Sequence, residues 1–351
     1  MAPRSTVPAD VTADIRRLLA DAGIEHDADL VARILATGVG LGLDDSDRLD
    51  LKITSAALTE MHAAFGLFAP YRGVPKVTVF GSARTRPDSE LYRLTVELTA
   101  ALAGRGWMTV TGAGPGIMQA AAEGAGPEHS LGVSIRLPFE EKPNAVISAH
   151  ARNVVMKYFF TRKLMLVKES SGFVCMPGGF GTLDEMFELL TLQQTGKAVP
   201  TPIVLLDRPG GGFWQGLRRF ADDHLIPEGV ISPDDLDRVL ITDSVDEAVE
   251  EVTGFYRNFV SLRWVRQRLV LRLRVAPTDA ELADLNARFG AVLASGEIQR
   301  RGPLKAEVED DDALDLPRLV MRYDPFRVGE LFHLIRAVNA LASAPAAARP
   351  A

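Results

Sequence analysis

The chain has 351 residues, 47% of them hydrophobic and 24% charged, with a formal net charge of −7 and a pI near 5.5. That length holds two or three domains with a sizeable core, and the acidic balance argues against nucleic acid as a main partner, because neutralising phosphates needs a basic surface. The single cysteine, Cys175, excludes an internal disulfide, and the lack of an apolar run of 18 residues argues against a membrane span. With Pro3, Pro8, Asp10, Asp14 and Arg16 at its start the chain does not read as carrying a signal peptide, so the cytoplasm is the expected location.

Residues 1–75 read as a helical preface, with apolar residues at helical spacing over 11–22, 28–37 and 51–68. The plainer expectation is a packing cap on the next domain; a regulatory or dimer-forming piece is the alternative. From Lys76 strand and helix alternate. Strands are expected at 77–80, 108–111, 131–135, 172–176, 203–206 and 238–241, and helices at 89–104, 117–124, 153–169, 182–195, 213–224 and 245–258; 138–150 is irregular. Such alternation predicts an α/β fold with a mostly parallel sheet covered on both faces, whose ligands bind at the carboxyl ends of the strands.

Three of those strand ends carry glycine. The first is Gly81-Ser82-Ala83-Arg84, the second Gly112-Ala113-Gly114-Pro115-Gly116-Ile117-Met118, and the third Pro177-Gly178-Gly179-Phe180-Gly181-Thr182. Glycine lets backbone N–H groups approach an anion, and a helix start adds unpaired donors at the positive end of its dipole. Thr182 and Glu185 also have the spacing of a capping box, which would turn the same donors inward. The second turn lacks the third glycine of a dinucleotide fingerprint and no acidic residue ends the next strand, so NAD is disfavoured; no GxxxxGK[ST] loop is present.

Within 153–169, Val155, Phe159, Arg162 and Leu166 share one helical face, which puts Arg162 on an apolar stripe. A guanidinium keeps its proton, so an anion should meet it there; a plain ion pair with Glu169 or an excursion to the rim are the alternatives.

Residues 76–258 resemble the LOG family of nucleoside 5′-monophosphate phosphoribohydrolases, long labelled lysine decarboxylase. The family signature Pro-Gly-Gly-x-Gly-Thr-x-x-Glu stands as Pro177 to Glu185, and its upstream Arg-Lys pair as Arg162-Lys163. The resemblance implies a Rossmann-like, homodimeric or larger enzyme that splits a nucleotide such as N6-prenylated AMP into base and ribose 5-phosphate. It implies Arg162 and Glu185 as catalytic residues. It also implies that Gly178, Gly179, Gly181 and Thr182 hold phosphate and ribose; Pro177, Phe180, Lys163, Gly81, Ser82, Gly112, Gly114, Gly116 and Met118 complete the expected substrate site. Phe159-Phe160-Thr161 and the Gly-Ala-Gly-Pro-Gly turn depart from common family patterns, which leaves the base open. Glycosidic cleavage builds positive charge at the anomeric carbon, a charge that a carboxylate such as Glu185 can meet while also taking a proton from water. The scheme calls for no cofactor and no metal, and the six histidines form no ligand pair. A non-catalytic nucleotide or phospho-cofactor carrier on the same fold is the alternative, disfavoured because a carrier needs the turns but not the Arg162–Glu185 pair.

Beyond residue 258 the resemblance stops, and 259–351 read as a small α+β appendage. Arginines 257, 263, 266, 268, 272 and 274 alternate partly with leucines like an exposed-face strand. A helix is expected at 278–289, a hairpin over 292–309, a strand at 318–323 and a helix at 325–341, with the acidic run 307–312 solvated.

Overall fold

The computed structural model describes residues 7–137, 143–148, 152–233 and 235–346. The chain forms two compact units, one ending at Ala63 and the other beginning at Ala64. In the first, helix α1 (Ala9–Asp21) buries Ile15 and Leu19 and lies along α2 (Ala28–Leu43); α3 (Arg48–Phe68) follows.

The second unit takes in the end of α3 from Ala64 and continues with β1 (Lys76–Phe80), α4 (Glu90–Ala103), β2 (Met108–Thr111), α5 (Ile117–Ala125) and β3 (Ser130–Ile135). After a short α6 (Ala145–Ser148) come β4 (Asn153–Met156), α7 (Phe159–Lys168), β5 (Gly172–Cys175) and α8 (Phe180–Gln194). β6 (Ile203–Leu206), α9 (Phe213–Phe220), β7 (Val239–Thr242) and α10 (Val245–Gly254) complete the alternation. The seven strands form one sheet in the order β4-β3-β2-β1-β5-β6-β7, and every neighbouring pair is parallel. This is the expected α/β, doubly wound, Rossmann-like architecture. Central strands β1, β2 and β5 are buried throughout, as a sheet covered on both faces requires. Val77, Val79, Val174, Val204 and Leu206 meet Leu98, Leu102, Val249 and Val252 of α4 and α10 in one core.

One expected element is different. Residues 153–169 are not a continuous helix: 153–156 form the edge strand β4, paired to β3 from Gly132↔Asn153 to Ile135↔Met156. Asn-Val-Val-Met is a β-branched run too short for its period to be read, and ladder pairing decided it. The expected stripe is therefore broken: Val155 and Phe159 are about half exposed, while Arg162 and Leu166 are buried. The irregular stretch 138–150 falls partly outside the described residues; Asn144 and α6 lie within it.

The appendage is a second, antiparallel sheet, β10-β11-β9-β8, made of β8 (Phe259–Val265), β9 (Arg268–Leu273), β10 (Leu293–Arg300) and β11 (Arg318–Tyr323). α11 (Asp279–Phe289) is capped by Thr278 and Glu281, and α13 (Val328–Asn339) covers the same face, burying Leu269, Leu271, Leu273, Leu285, Phe332 and Ile335 together. Three details differ from expectation. The arginine-rich segment is a hairpin of two strands. Residues 292–309 are not a hairpin but β10 followed by α12 (Lys305–Glu309), which reaches back over the sheet. The acidic run is not wholly solvated, because Glu307 is fully buried, accepting from Arg318 Nη1 at 2.6 Å and from Arg272 Nη2 at 2.9 Å. Asp312 also pairs with Arg272 and with Arg263. A carboxylate enters an interior only with such partners.

Candidate active site

Strands β2, β1 and β5 lie side by side, so the three glycine turns leave the same sheet edge next to one another. The chain moves outward from β1 through β2, β3 and β4, then returns with β5 on the other side of β1. That reversal opens a crevice at the carboxyl ends of β1 and β5. The first two turns are joined: the Ile117 N–H donates to the Ser82 carbonyl at 3.1 Å. Gly116 has φ +66°, and a Cβ there would overlap Ser82 O, while one on Gly81 would lie 2.5 Å from the Ile117 side chain.

The third turn is open. α8 begins at Phe180 with Gly179 as its N-cap and no side chain capping it, and a Cβ on Gly179 or Gly181 would meet nothing within 4 Å. The capping box expected of Thr182 and Glu185 does not form; the helix starts two residues earlier and Glu185 turns elsewhere. Thr182 is buried with its hydroxyl against Gly178, Phe180 is 93% exposed, and Pro177 makes the break between β5 and the glycines. The first-turn N–H groups of α8 thus face open space at the positive end of the helix dipole, an arrangement suited to phosphate.

Arg162, in the first turn of α7, bridges three elements. Its Nε donates to the Val133 carbonyl of β3 at 2.9 Å, its Nη1 to Glu185 Oε1 of α8 at 3.3 Å, and its Nη2 lies where a Cβ on Gly112 would be. Gly112 is required because any side chain there would displace the guanidinium. Met118 closes the other side, its Sδ 2.8 Å and its Cε 2.7 Å from the positions that Cβ atoms on Gly112 and Gly114 would take. The partner of Arg162 is Glu185 and not Glu169, which pairs with Lys168.

Lys163 faces differently from its neighbour. Its Nζ lies 2.8 Å from Asp184 and 2.9 Å from Glu188, tying α7 to α8 on the far side of Glu185. A further residue, Asn144, had no signal in the sequence. Its Nδ2 donates to the Gly114 carbonyl at 3.2 Å and its backbone N–H to Ala113 O at 2.8 Å, holding a turn in which Ala113 has φ +59°. Only the tertiary structure reveals it, since its stretch has no periodicity.

Burial sets the electrostatics. It pushes the Glu185 carboxyl up to about 7 against the opposing pull of Arg162. The site therefore holds a carboxylate poised near neutrality beside a cation that stays charged. Buried Cys175 has its thiol held protonated by burial and by Glu185, so it is no nucleophile. No group of three His, Cys, Asp or Glu side chains among the described residues could hold a metal ion, and no described helix is long and apolar enough to cross a membrane.

Comparison with known proteins places these features. A molybdenum cofactor binding protein from Rippkaea orientalis superposes with a TM-score of 0.37 at 22% identity, over 50% of this chain and 94% of that one. The family model described as possible lysine decarboxylase matches residues 116–252, a stretch that begins at Gly116 of the second turn and contains the third turn, Arg162 and Glu185. The cytokinin riboside 5′-monophosphate phosphoribohydrolase of Mycobacterium tuberculosis is 33% identical over 173 residues, covering 48% of this chain and 88% of its own length. Its counterpart in Mycobacterium marinum is 30% identical over 174 residues with the same coverage. On that similarity the chain belongs to the LOG family, carrying segments beyond the length of those relatives.

Proposed function

We propose that the protein hydrolyses the N-glycosidic bond of a nucleoside 5′-monophosphate, a cytokinin nucleotide or an AMP-like one, to free base and ribose 5-phosphate. The observation that carries this reading is the contact between Arg162 and Glu185 next to an open glycine turn. The activity for which the relatives are named supports it.

In this reading the 5′-phosphate sits on the N–H groups of Gly179, Phe180 and Gly181, within residues 76–258. Binding energy taken there positions the ribose for reaction. The C1′–N bond breaks with its electron pair leaving on the base, and positive charge develops at C1′ beside the Glu185 carboxylate. Water adds to C1′ and gives one proton to Glu185, the departing base takes up a proton from solvent, and Glu185 returns its proton to solvent as the products leave. Arg162, itself fixed by Val133, holds the carboxylate in place. Gly81, Ser82, Gly112, Gly114, Gly116 and Met118 line the side where sugar and base lie, and Lys163 acts by anchoring α7 to α8.

A homodimer fits the same face. Phe159, Phe160, Leu164 and Phe180 are each at least 47% exposed on α7 and the start of α8, and a second copy of the chain is the occupant we assign to them. The direct test is incubation with a panel of nucleoside monophosphates, N6-prenylated AMP included, with free base read by chromatography. Base from at least one member is expected; none from any of them overturns the reading.

A further inference from the structure

A cavity of about 700 Å³, lined by polar and apolar residues together, lies at the opposite edge of the parallel sheet from the glycine turns. Pro75, Trp107 and Ser171, the residues just before β1, β2 and β5, line it, as do residues from α10 and from the start and end of the β8–β9 hairpin. Its size is that of a small-molecule site, for which about 300–1,000 Å³ is usual.

Among the described residues that line it are four arginines, Arg72, Arg105, Arg257 and Arg274, and one acidic residue, Glu250. Glu250 is shared: Arg257 Nη2 donates to it at 2.9 Å and Arg105 Nη1 at 3.4 Å. Among the described residues the Arg274 guanidinium donates only to the Tyr256 carbonyl, at 3.3 Å, and neither it nor Arg72 has an acidic partner. The Nε of Arg257 is buried and makes no hydrogen bond among the described residues. Among the described residues an excess of three positive charges is thus gathered at one cavity of a chain whose net charge is −7.

Like charges held together are destabilising unless an anion joins them, and a buried N–H donor without a partner is costly. All four cations are arginines, whose planar fork fits phosphate oxygens two at a time. We infer that this cavity binds a multiply charged phosphate, a diphosphate or triphosphate group, on Arg72, Arg105, Arg257 and Arg274. A singly charged anion leaves two of the three excess charges unmet. Trp107 and Tyr256, with ring centroids 6.0 Å apart, give the cavity an apolar wall. The group can therefore come as an inorganic polyphosphate or as part of a nucleotide. The inference does not rest on the catalytic reading, because none of these residues lies at the glycine turns.

The experiment is calorimetric titration of the full chain with inorganic tripolyphosphate and, separately, ATP at fixed ionic strength. It compares the parent with a double variant, Arg72→Gln with Arg257→Gln, and with a glycine-turn variant, Gly179→Asp. One equivalent of tripolyphosphate is expected to bind, at least tenfold more weakly in the double variant and unchanged in Gly179→Asp. Tighter binding of ATP assigns the aromatic wall to a base, and tighter binding of tripolyphosphate assigns the site to the inorganic anion. Should the double variant fail to fold, Arg72→Gln alone replaces it, since that side chain has no acidic partner to lose. No binding of either probe, or binding lost only in Gly179→Asp, overturns the inference.

Discussion

Arg162 Nη1 lies 3.3 Å from Glu185 Oε1, and the two side chains are only 10% and 13% exposed, so a cation from α7 and an anion from α8 are buried against each other beside an open turn. The partners are not equivalent. The carboxyl can take a proton and become neutral, whereas the guanidinium cannot.

That asymmetry predicts two different stability losses. Glu185→Ala strands a buried cation and is expected to cost about 3–5 kcal/mol; Arg162→Ala leaves a carboxyl that protonates, and should cost less at pH 6 than at pH 8. Both variants should remain folded and release base at least about 100-fold more slowly. Urea denaturation at the two pH values, alongside base release, checks this. Equal activity in either folded variant removes the catalytic assignment.

The raised Glu185 carboxyl gives a pH dependence with a defined sign. Its ordinary value is 4.5 and its folded value about 7, so the folded state binds more protons in between. Its contribution is fully present below 4.5 and is lost as pH rises through 7, by about 3 kcal/mol in all. Glu185→Gln should abolish that part of the pH profile, which the difference between the two proteins' stability curves isolates. Activity should move the other way, with kcat/KM rising through about pH 7 as the carboxylate forms.

Gly181→Ala separates folding from ligand binding. The position is in the first turn of α8 with nothing within 4 Å of an added Cβ. The substitution should leave stability unchanged or raise it by about 0.4–1 kcal/mol, yet raise KM because the methyl stands where phosphate approaches. Gly112→Ala should instead lower kcat, since its Cβ displaces Arg162. Thermal melts with steady-state kinetics on both variants test the contrast; an unchanged KM in Gly181→Ala counts against phosphate at that turn.

Glu307→Gln should destabilise the appendage by about 3–5 kcal/mol, because Arg272 and Arg318 would be left buried without their shared carboxylate. Hydrogen exchange should show the loss on β9 and β11 first. A shift below about 1 kcal/mol would mean that Asp312 suffices for both arginines.

Leu164→Glu, on the exposed face of α7, should reduce the sedimentation coefficient of the protein without lowering its helix content. No change in mass relative to the parent removes this face as the contact between copies.

Much of this protein is determined by local pattern. Alternating buried strands and amphipathic helices imply the parallel sheet, and three glycine-bearing strand ends imply a crevice along one edge of it. The Pro177–Glu185 run and Arg162-Lys163 are legible as a family signature because turn chemistry and spacing are properties of adjacent residues. What tertiary structure decided is which charge meets which. Nothing in the residues around Lys163 says that it ties to Asp184 and Glu188 while its neighbour spans to Val133 and Glu185. Residues 153–156 became a strand through the β3 ladder, and Glu307 left its acidic run to neutralise two arginines. Periodicity is written along the chain, but the partner of a buried charge or an edge strand lies across it. Pairing through space, with its desolvation cost, settles those contacts only once the chain has closed.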